Sequence, residues 1–451
     1  MGAYPCSMAA LIHGHPETPA LAAAHPEDTR LVYPCASSLC TDFHEQDLRD
    51  AIDATNGDPI PHQLALYVGT PLHPHEHGVL SIPRSDAYLT RLYREIGLKA
   101  GLFDRDRDVV QLQFGGGTTR YLTPIQIAET VDVLHRHFPF SAAANHEFSI
   151  ELDPRYFDAS TFAALADAGI GRILLAARDP DASALHASME PTHIASMLEK
   201  IEACRQSGLR SASLGLHIGL PGQSADPLMR MLDTVVEARP ERLVFHQHAM
   251  TGLSDKDRNT LLDAITSLLE GAGYQHLGMG RFVQSEQELG RAQAQGQLSY
   301  NVLGYSTHAN CDVIGMGVGA YSQIGDCYSR NPAAHAEWAE TVDHGRLPAH
   351  YGLRLDADAQ IRADLVQHLL CRGELNLQDA SHRHVLDVTA QFPQELARMA
   401  ALVPQGLIDW QDSRIRLTSR GRWFLRIIAA CFDCPPATAT PAVMPSHMPT
   451  A

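Results

Sequence analysis

Three imidazoles lie within five residues at His73, His75 and His77, in the stretch HPHEH. On an extended segment alternate residues share a side. Imidazole nitrogens suit zinc, copper, nickel or iron. The triplet is a candidate metal site if another loop adds a ligand, and a solvated loop if none does. Gly115-Gly116-Gly117-Thr118 follows an apolar run. Consecutive glycines let backbone approach a ligand and turn N–H groups towards an anion; a tight strand-to-helix turn needs the same residues. Glu151 and Asp153-Pro154 close another apolar run, and a carboxylate there can bind an amine or act as a base. Asp153 could equally cap the next segment. Glu151 alternates with Ile150 and Leu152, which turns it away from them. Residues 315–328 (GMGVGAYSQIGDCY) are rich in small side chains, as in a ligand-pocket wall or a tightly packed strand and turn.

These residues need a frame to hold them. Apolar runs at 64–68, 109–114, 148–152, 172–175, 213–218 and 242–245 read as buried strands. Helical patterns separate them. One opens at Thr123-Pro124, an N-cap hydroxyl followed by proline. Another covers about 192–206 and stops near Gly208, and a third runs from Asp226 to Ala238. Repeated strand–helix units predict an α/β protein with a parallel sheet and right-handed crossovers. Six of them suit a partial (β/α)6 barrel, whose chemistry sits on loops after the strand C-termini. Beyond residue 353 helical texture takes over. A hairpin at 406–417 and a helix at 419–430 then suggest a mostly helical, winged-helix-like end. The expected divisions are a poorly ordered 1–30, an extension 31–60, a barrel 61–345, a helical domain 346–434 and a proline-rich tail 435–451.

The chain's 451 residues carry a net charge of −17 and no basic run, which argues against a nucleic-acid partner. The nine cysteines are odd in number and lack framework spacing, as expected of reduced thiols in a cytoplasmic protein. Cys431 and Cys434 form a C-x-x-C that reads as two ordinary thiols. No apolar run approaches the roughly 18 residues of a membrane span. No basic segment precedes residues 8–12, so a signal peptide is not expected.

Taken together, the segments Tyr67-Val68, Phe114 to Thr118, Ser149 to Pro154, Gly219-Leu220-Pro221, Gly273-Tyr274-Gln275, Gly304-Tyr305, 315–328, Leu417 to Arg422 and Cys431-Phe432-Asp433 make a distinctive set. In this set the chain resembles the oxygen-independent coproporphyrinogen III oxidases, a radical S-adenosylmethionine family, from about Tyr33 to Asp433. The resemblance implies a radical-SAM-type barrel and a [4Fe–4S] cluster held by a Cys-x3-Cys-x2-Cys loop after the first strand. It also implies S-adenosylmethionine chelated to the open iron, and a tetrapyrrole substrate. The family reaction is oxidative decarboxylation of coproporphyrinogen III to protoporphyrinogen IX in haem biosynthesis. By the same resemblance Tyr67, Gly115, Gly116, Gly117, Thr118 and Glu151 are the cofactor-binding positions.

The cluster loop departs from that pattern. Its cysteine positions correspond to His73, His77 and Leu80, and no cysteine lies between Cys40 and Cys204. Clusters take thiolates; histidine substitutes in some centres, but leucine has no lone pair to give. The family's glutamine, arginine and aspartate contacts to S-adenosylmethionine fall at Arg178, Glu190 and Gly215, and a later Asp-His pair at Gly280-Arg281. The expectation is therefore a homologue without its cluster. Binding of S-adenosylmethionine is doubtful, and a porphyrin or haem ligand is retained if any function is. His217, His246 and His248, on or beside inner strands, are candidate haem ligands, though each alone reads as a packed or solvated histidine. The alternatives are an active coproporphyrinogen dehydrogenase with atypical cluster ligation, and a metal protein built on His73, His75 and His77.

Overall fold

The computed structural model describes residues 31–70, 82–115, 121–143, 145–155, 157, 160–177, 182–248 and 254–433. Six parallel strands follow one another across a sheet: β1 (Gln63–Val68), β2 (Val109–Phe114), β3 (Glu147–Leu152), β4 (Arg172–Leu175), β5 (Ser211–Ile218) and β6 (Arg242–Gln247). Beyond β6, β7 (Tyr274–Gly278) and β8 (Arg281–Gln284) form an antiparallel pair, with β8 against β6. A small ribbon of β9 (Ser299–Asn301) and β10 (Gly304–Ser306) leads to β11 (Cys311–Met316), which returns parallel to β1. From β11 the sheet extends through antiparallel β12 (Tyr321–Ile324), β13 (Cys327–Arg330) and β14 (Tyr351–Arg354). The order β14-β13-β12-β11-β1-β2-β3-β4-β5-β6-β8-β7 has two ends that do not meet, so the barrel is partial.

Period-two alternation sorts the side chains. Leu66, Val68, Leu112, Phe114, Ile150, Leu152, Ile173, Leu175, Leu214, Leu216, Leu243 and Phe245 share one face and are buried against the helices. The register puts Tyr67, Gln113, Gly115, Ser149, Glu151, Leu174, Ser213, Gly215, His217, Val244 and His246 on the other. One face is thus a continuous apolar core and the other a largely polar interior. That is why the strands read as apolar runs with polar residues interleaved.

The helices are locally encoded. Pro124–His137 begins with a capping box: Thr123 accepts from the Gln126 amide, and the Gln126 side chain accepts from the Thr123 N–H. Pro191–Gln206 opens on proline. Ala225–Ala238 ends at Arg239 in the left-handed region, φ 49°.

A second core lies under the C-terminal segment, where the helix Ala357–Arg372 packs with Leu277 and Met279, Phe392, Met399, Ile408, Ile415 and Phe432. Here β15 (Glu374–Asn376), β16 (Ile408–Gln411) and β17 (Arg414–Leu417) make a three-stranded sheet, the hairpin turning at Asp412. The helix anticipated over 419–430 is instead two short helices, Ser419–Trp423 and Leu425–Ala429, broken at Phe424. The break lets Trp423 turn to the barrel, donating to Thr266 Oγ1 at 2.9 Å, while Leu425 enters the second core. Local period does not report that division of burial. No helix among the described residues is long and apolar enough to cross a membrane.

Candidate functional site at the C-terminal ends of the strands

The ends of β1 to β6 carry the described candidates. Gly115 continues β2, its N–H donating to the Val68 carbonyl at 2.9 Å. A Cβ on Gly115 would overlap the Tyr67 hydroxyl, so glycine is required for that phenol to lie across the strand end. Glu151 stands one residue past the Phe114–Ile150 pair, beside Gly115, and is buried at 6% exposure. Tyr67, Gly115 and Glu151 are therefore neighbours on the inner face. Gly116, Gly117, Thr118 and Arg178 lie outside the described residues, as do His73, His75, His77 and Leu80. Asp153 binds Arg155 at 2.6 Å and accepts from its backbone N–H, so it serves the local turn.

Residues 315–328 hold the far side of β1. Gly315 packs against the Tyr321 backbone, and Gly317 (φ 93°) lies where a Cβ would overlap the Tyr88 hydroxyl and the Gly69 carbonyl. A buried network fixes this approach. Tyr88 donates to the Gly69 carbonyl at 2.6 Å. Glu95, fully buried, accepts from Gly317 N–H, Asn331 Nδ2 and Trp338 Nε1, each at 2.8 Å. Lys99 pairs with Glu95 at 2.8 Å and donates to the Gly315 carbonyl at 2.5 Å. Burial and the nearby Glu95 charge push the Tyr88 phenol well above its ordinary range, keeping it a donor. The backbone leaving β1 is thus held from beneath by side chains that the sequence reading did not single out. They occupy one face of the helix Ile82–Ala100 at spacings of seven and four (Tyr88, Glu95, Lys99), a polar stripe on an otherwise buried face.

The opposite side of the interior is lined by histidine. Buried His217 donates from Nε2 to the Ala177 carbonyl at 3.0 Å, and its Nδ1 lies 2.9 Å from His248 Nε2. The His246 ring is centred 5.1 Å from that of His217. Burial, then the neighbouring His186, holds the His248 imidazole below its ordinary range. Gly215 has little room above it: a Cβ would stand 2.6 Å from Ala176 Cβ and 3.2 Å from His246 Nε2. Glu190 is the N-cap of Pro191–Gln206, and Gly280 (φ 71°) sits under the Phe245 carbonyl. Interior polar atoms without a hydrogen-bond partner among the described residues include Thr70 Oγ1, Gln113 Oε1 and Ser211 Oγ. The sequence reading did not single out Gln113, although glutamines alternate with apolar residues in VVQLQF.

Among the described residues the donor set does not match an iron–sulfur cluster. No three His, Cys, Asp or Glu side chains are grouped to hold a metal ion among the described residues. The thiols of Cys204, Cys311, Cys327, Cys371 and Cys431 are each pushed up to about 12, mainly by burial, the reverse of what a thiolate ligand needs. Cys40 is tied to Gly352 of β14, its Sγ donating to that carbonyl at 3.3 Å. Between β14 and β1 lie β13, β12 and β11, a span of about 19 Å at the usual strand spacing. Cys35, whose thiol is raised mainly by burial, accepts from Ser37 and lies by Asp433. Cys40 thus stands four strands away from β1. Cys434 lies outside the described residues.

Six strand–helix units around a polar interior, with a helical, winged-helix-like C-terminal part, define a partial β/α barrel of the radical S-adenosylmethionine type. No family model matches the chain. The oxygen-independent coproporphyrinogen III oxidase of Pseudomonas aeruginosa is 33% identical over 367 residues, 78% of this chain and 79% of that protein. The Escherichia coli protein of the same name is 30% identical over 423 residues, covering 89% and 91%. The solved coproporphyrinogen III oxidase of E. coli, described as a radical SAM enzyme, superposes with a TM-score of 0.78 over 89% of this chain and 96% of that one. The chain belongs to the oxygen-independent coproporphyrinogen III oxidase family.

Proposed function

We propose that this chain is a non-catalytic member of its family that keeps the barrel as a tetrapyrrole-binding scaffold. The observation that carries the reading is the missing thiolate set. The cluster positions are His73, His77 and Leu80, and no cysteine occurs between Cys40 and Cys204. Cys40 itself is engaged at the sheet edge. Two imidazoles and an aliphatic side chain do not supply the three thiolates that anchor a cubane. Crowding over Gly215 adds to this, since the position equivalent to the family's aspartate contact cannot take even a Cβ without displacing Ala176. Retention of a ligand is supported by the Tyr67–Gly115–Glu151 group, the Tyr88–Glu95–Lys99 brace and a polar interior with atoms unpartnered among the described residues.

Anaerobic reconstitution with iron and sulfide tests the loss of activity. Colourless protein that yields no 5′-deoxyadenosine on reduction with S-adenosylmethionine is expected. Brown protein that makes it overturns the proposal, and establishes instead the second reading, an active coproporphyrinogen dehydrogenase with atypical ligation, which the retained Gly-rich loop favours. Ligand retention is tested separately by titrating coproporphyrin III and haemin into the full chain. Saturable quenching or a Soret shift is expected, and its absence for both removes the scaffold role.

A further inference from the structure

The pair of His217 on β5 and His248 just past β6 has the chemistry of a metal site. A backbone carbonyl only accepts, so the Ala177 contact fixes the proton of neutral His217 on Nε2. Nδ1 then carries the lone pair, and it accepts from His248 Nε2, 2.9 Å away. A histidine whose second nitrogen is held by a carbonyl is the usual arrangement of a metal-ligating imidazole. His217 is 4% exposed, and its ring is further locked by packing against His246 and His248, centred 5.1 and 5.2 Å away.

We infer that this pair, with His246 as third ligand, binds a divalent transition metal of the zinc, copper or nickel class inside the barrel. Two metal–nitrogen bonds of about 2.0–2.1 Å at a tetrahedral angle hold their nitrogens about 3.3 Å apart. The observed separation of 2.9 Å is a hydrogen bond's, so the ion enters by opening the pair about 0.4 Å and replacing the shared proton. That proton moves to His248 Nδ1, leaving both imidazoles neutral. Binding at neutral pH therefore releases no proton, unlike binding to thiols. His246 lies beside His217 across the β5–β6 register, its Nε2 over Gly215, and it completes the set by turning its ring towards the pair. No three ligands are already grouped there; the site is a preset pair that the ion completes, with water in the fourth position. It owes nothing to the tetrapyrrole reading and uses none of His73, His75 and His77.

The test is calorimetric titration of zinc into the full chain, with cobalt as a spectroscopic probe. The background is a His73→Ala/His75→Ala/His77→Ala triple variant, which removes the loop as a competitor. One zinc per chain is expected in that background, with cobalt giving the intense visible bands of a four-coordinate site. His248→Gln keeps an N–H donor for His217 but offers a poor ligand, and should weaken zinc more than tenfold without changing the far-UV spectrum. His217→Gln is the second variant, with the same expectation. The proposal fails if zinc binding vanishes in the triple variant, if His248→Gln and His217→Gln bind as that background does, or if cobalt shows only the weak spectrum of the hexaaqua ion.

Discussion

His276 is the sharpest test of how this core is balanced. It lies on β7, 2% exposed, stacked on Phe282 with ring centroids 4.2 Å apart and against Trp423 at 4.9 Å. Neither ring nitrogen has a hydrogen-bond partner among the described residues. Burial, then the Arg422 guanidinium, lowers its pKa to about 3. An unfolded chain presents an imidazole of about 6.5, so on acidification the unfolded state takes up the proton first. A depressed folded value means that stability is present above the unfolded value and is lost as pH falls from about 6.5 towards 3. Each pH unit in that window costs about 1.4 kcal/mol, or about 2 kcal/mol between pH 7 and pH 5. His276→Phe removes the titration and the unpaired ring nitrogens together, and keeps the aromatic stack. Urea unfolding at pH 7 and pH 5, followed by tryptophan fluorescence, reads both effects. The variant should be more stable at pH 7 by about 1 kcal/mol, the cost of an unsatisfied buried group. Its lead should grow to about 3 kcal/mol at pH 5. His276→Leu guards against a packing artefact from the larger ring, because it too must flatten the pH dependence. Parallel pH dependences for wild type and both variants would refute the argument.

Other perturbations probe the brace and the mouth. Glu95→Gln leaves Lys99 buried without its counter-ion, and should cost about 3–5 kcal/mol of stability, read from the urea midpoint. Gly215→Asp puts a side chain against Ala176; it should lower stability by about 1–3 kcal/mol and restore no S-adenosylmethionine binding by equilibrium dialysis. Thr123→Ala removes the cap of Pro124–His137 and should cost about 1 kcal/mol in the same unfolding assay.

The strands of the barrel were legible because burial on the helix side enforces an unbroken apolar face, as in residues 109–114, and that signal survives without any tertiary knowledge. The cap at Thr123 was equally local. The antiparallel additions β7–β8 and β12–β14 were not. They are short, mostly four or five residues, and their pairing is decided by neighbours far along the chain. The site divides the same way. Glu151 announced its direction by alternation, and the structure puts it on the face shared with Gly115 and His217. The Tyr88–Glu95–Lys99 brace was hidden, since spacings of seven and four on a helix describe any face until the partner, here Gly317 and Asn331, is known. The same holds for His217 and His248, 31 positions apart, whose contact depends on the register of β5 against β6.

A buried ion pair such as Lys99–Glu95 is costly unless every partner stays in place. Here the brace under Gly69 is complete, and Gly115 still accommodates the Tyr67 phenol. On β5 and just beyond β6, His217 meets His248 through a hydrogen bond and both His246 and His248 through ring contacts, while a Cβ on Gly215 would stand 3.2 Å from His246 Nε2. The metal titration and the iron–sulfur reconstitution read the proposed metal site and the proposed loss of the cluster separately, since either can succeed where the other fails.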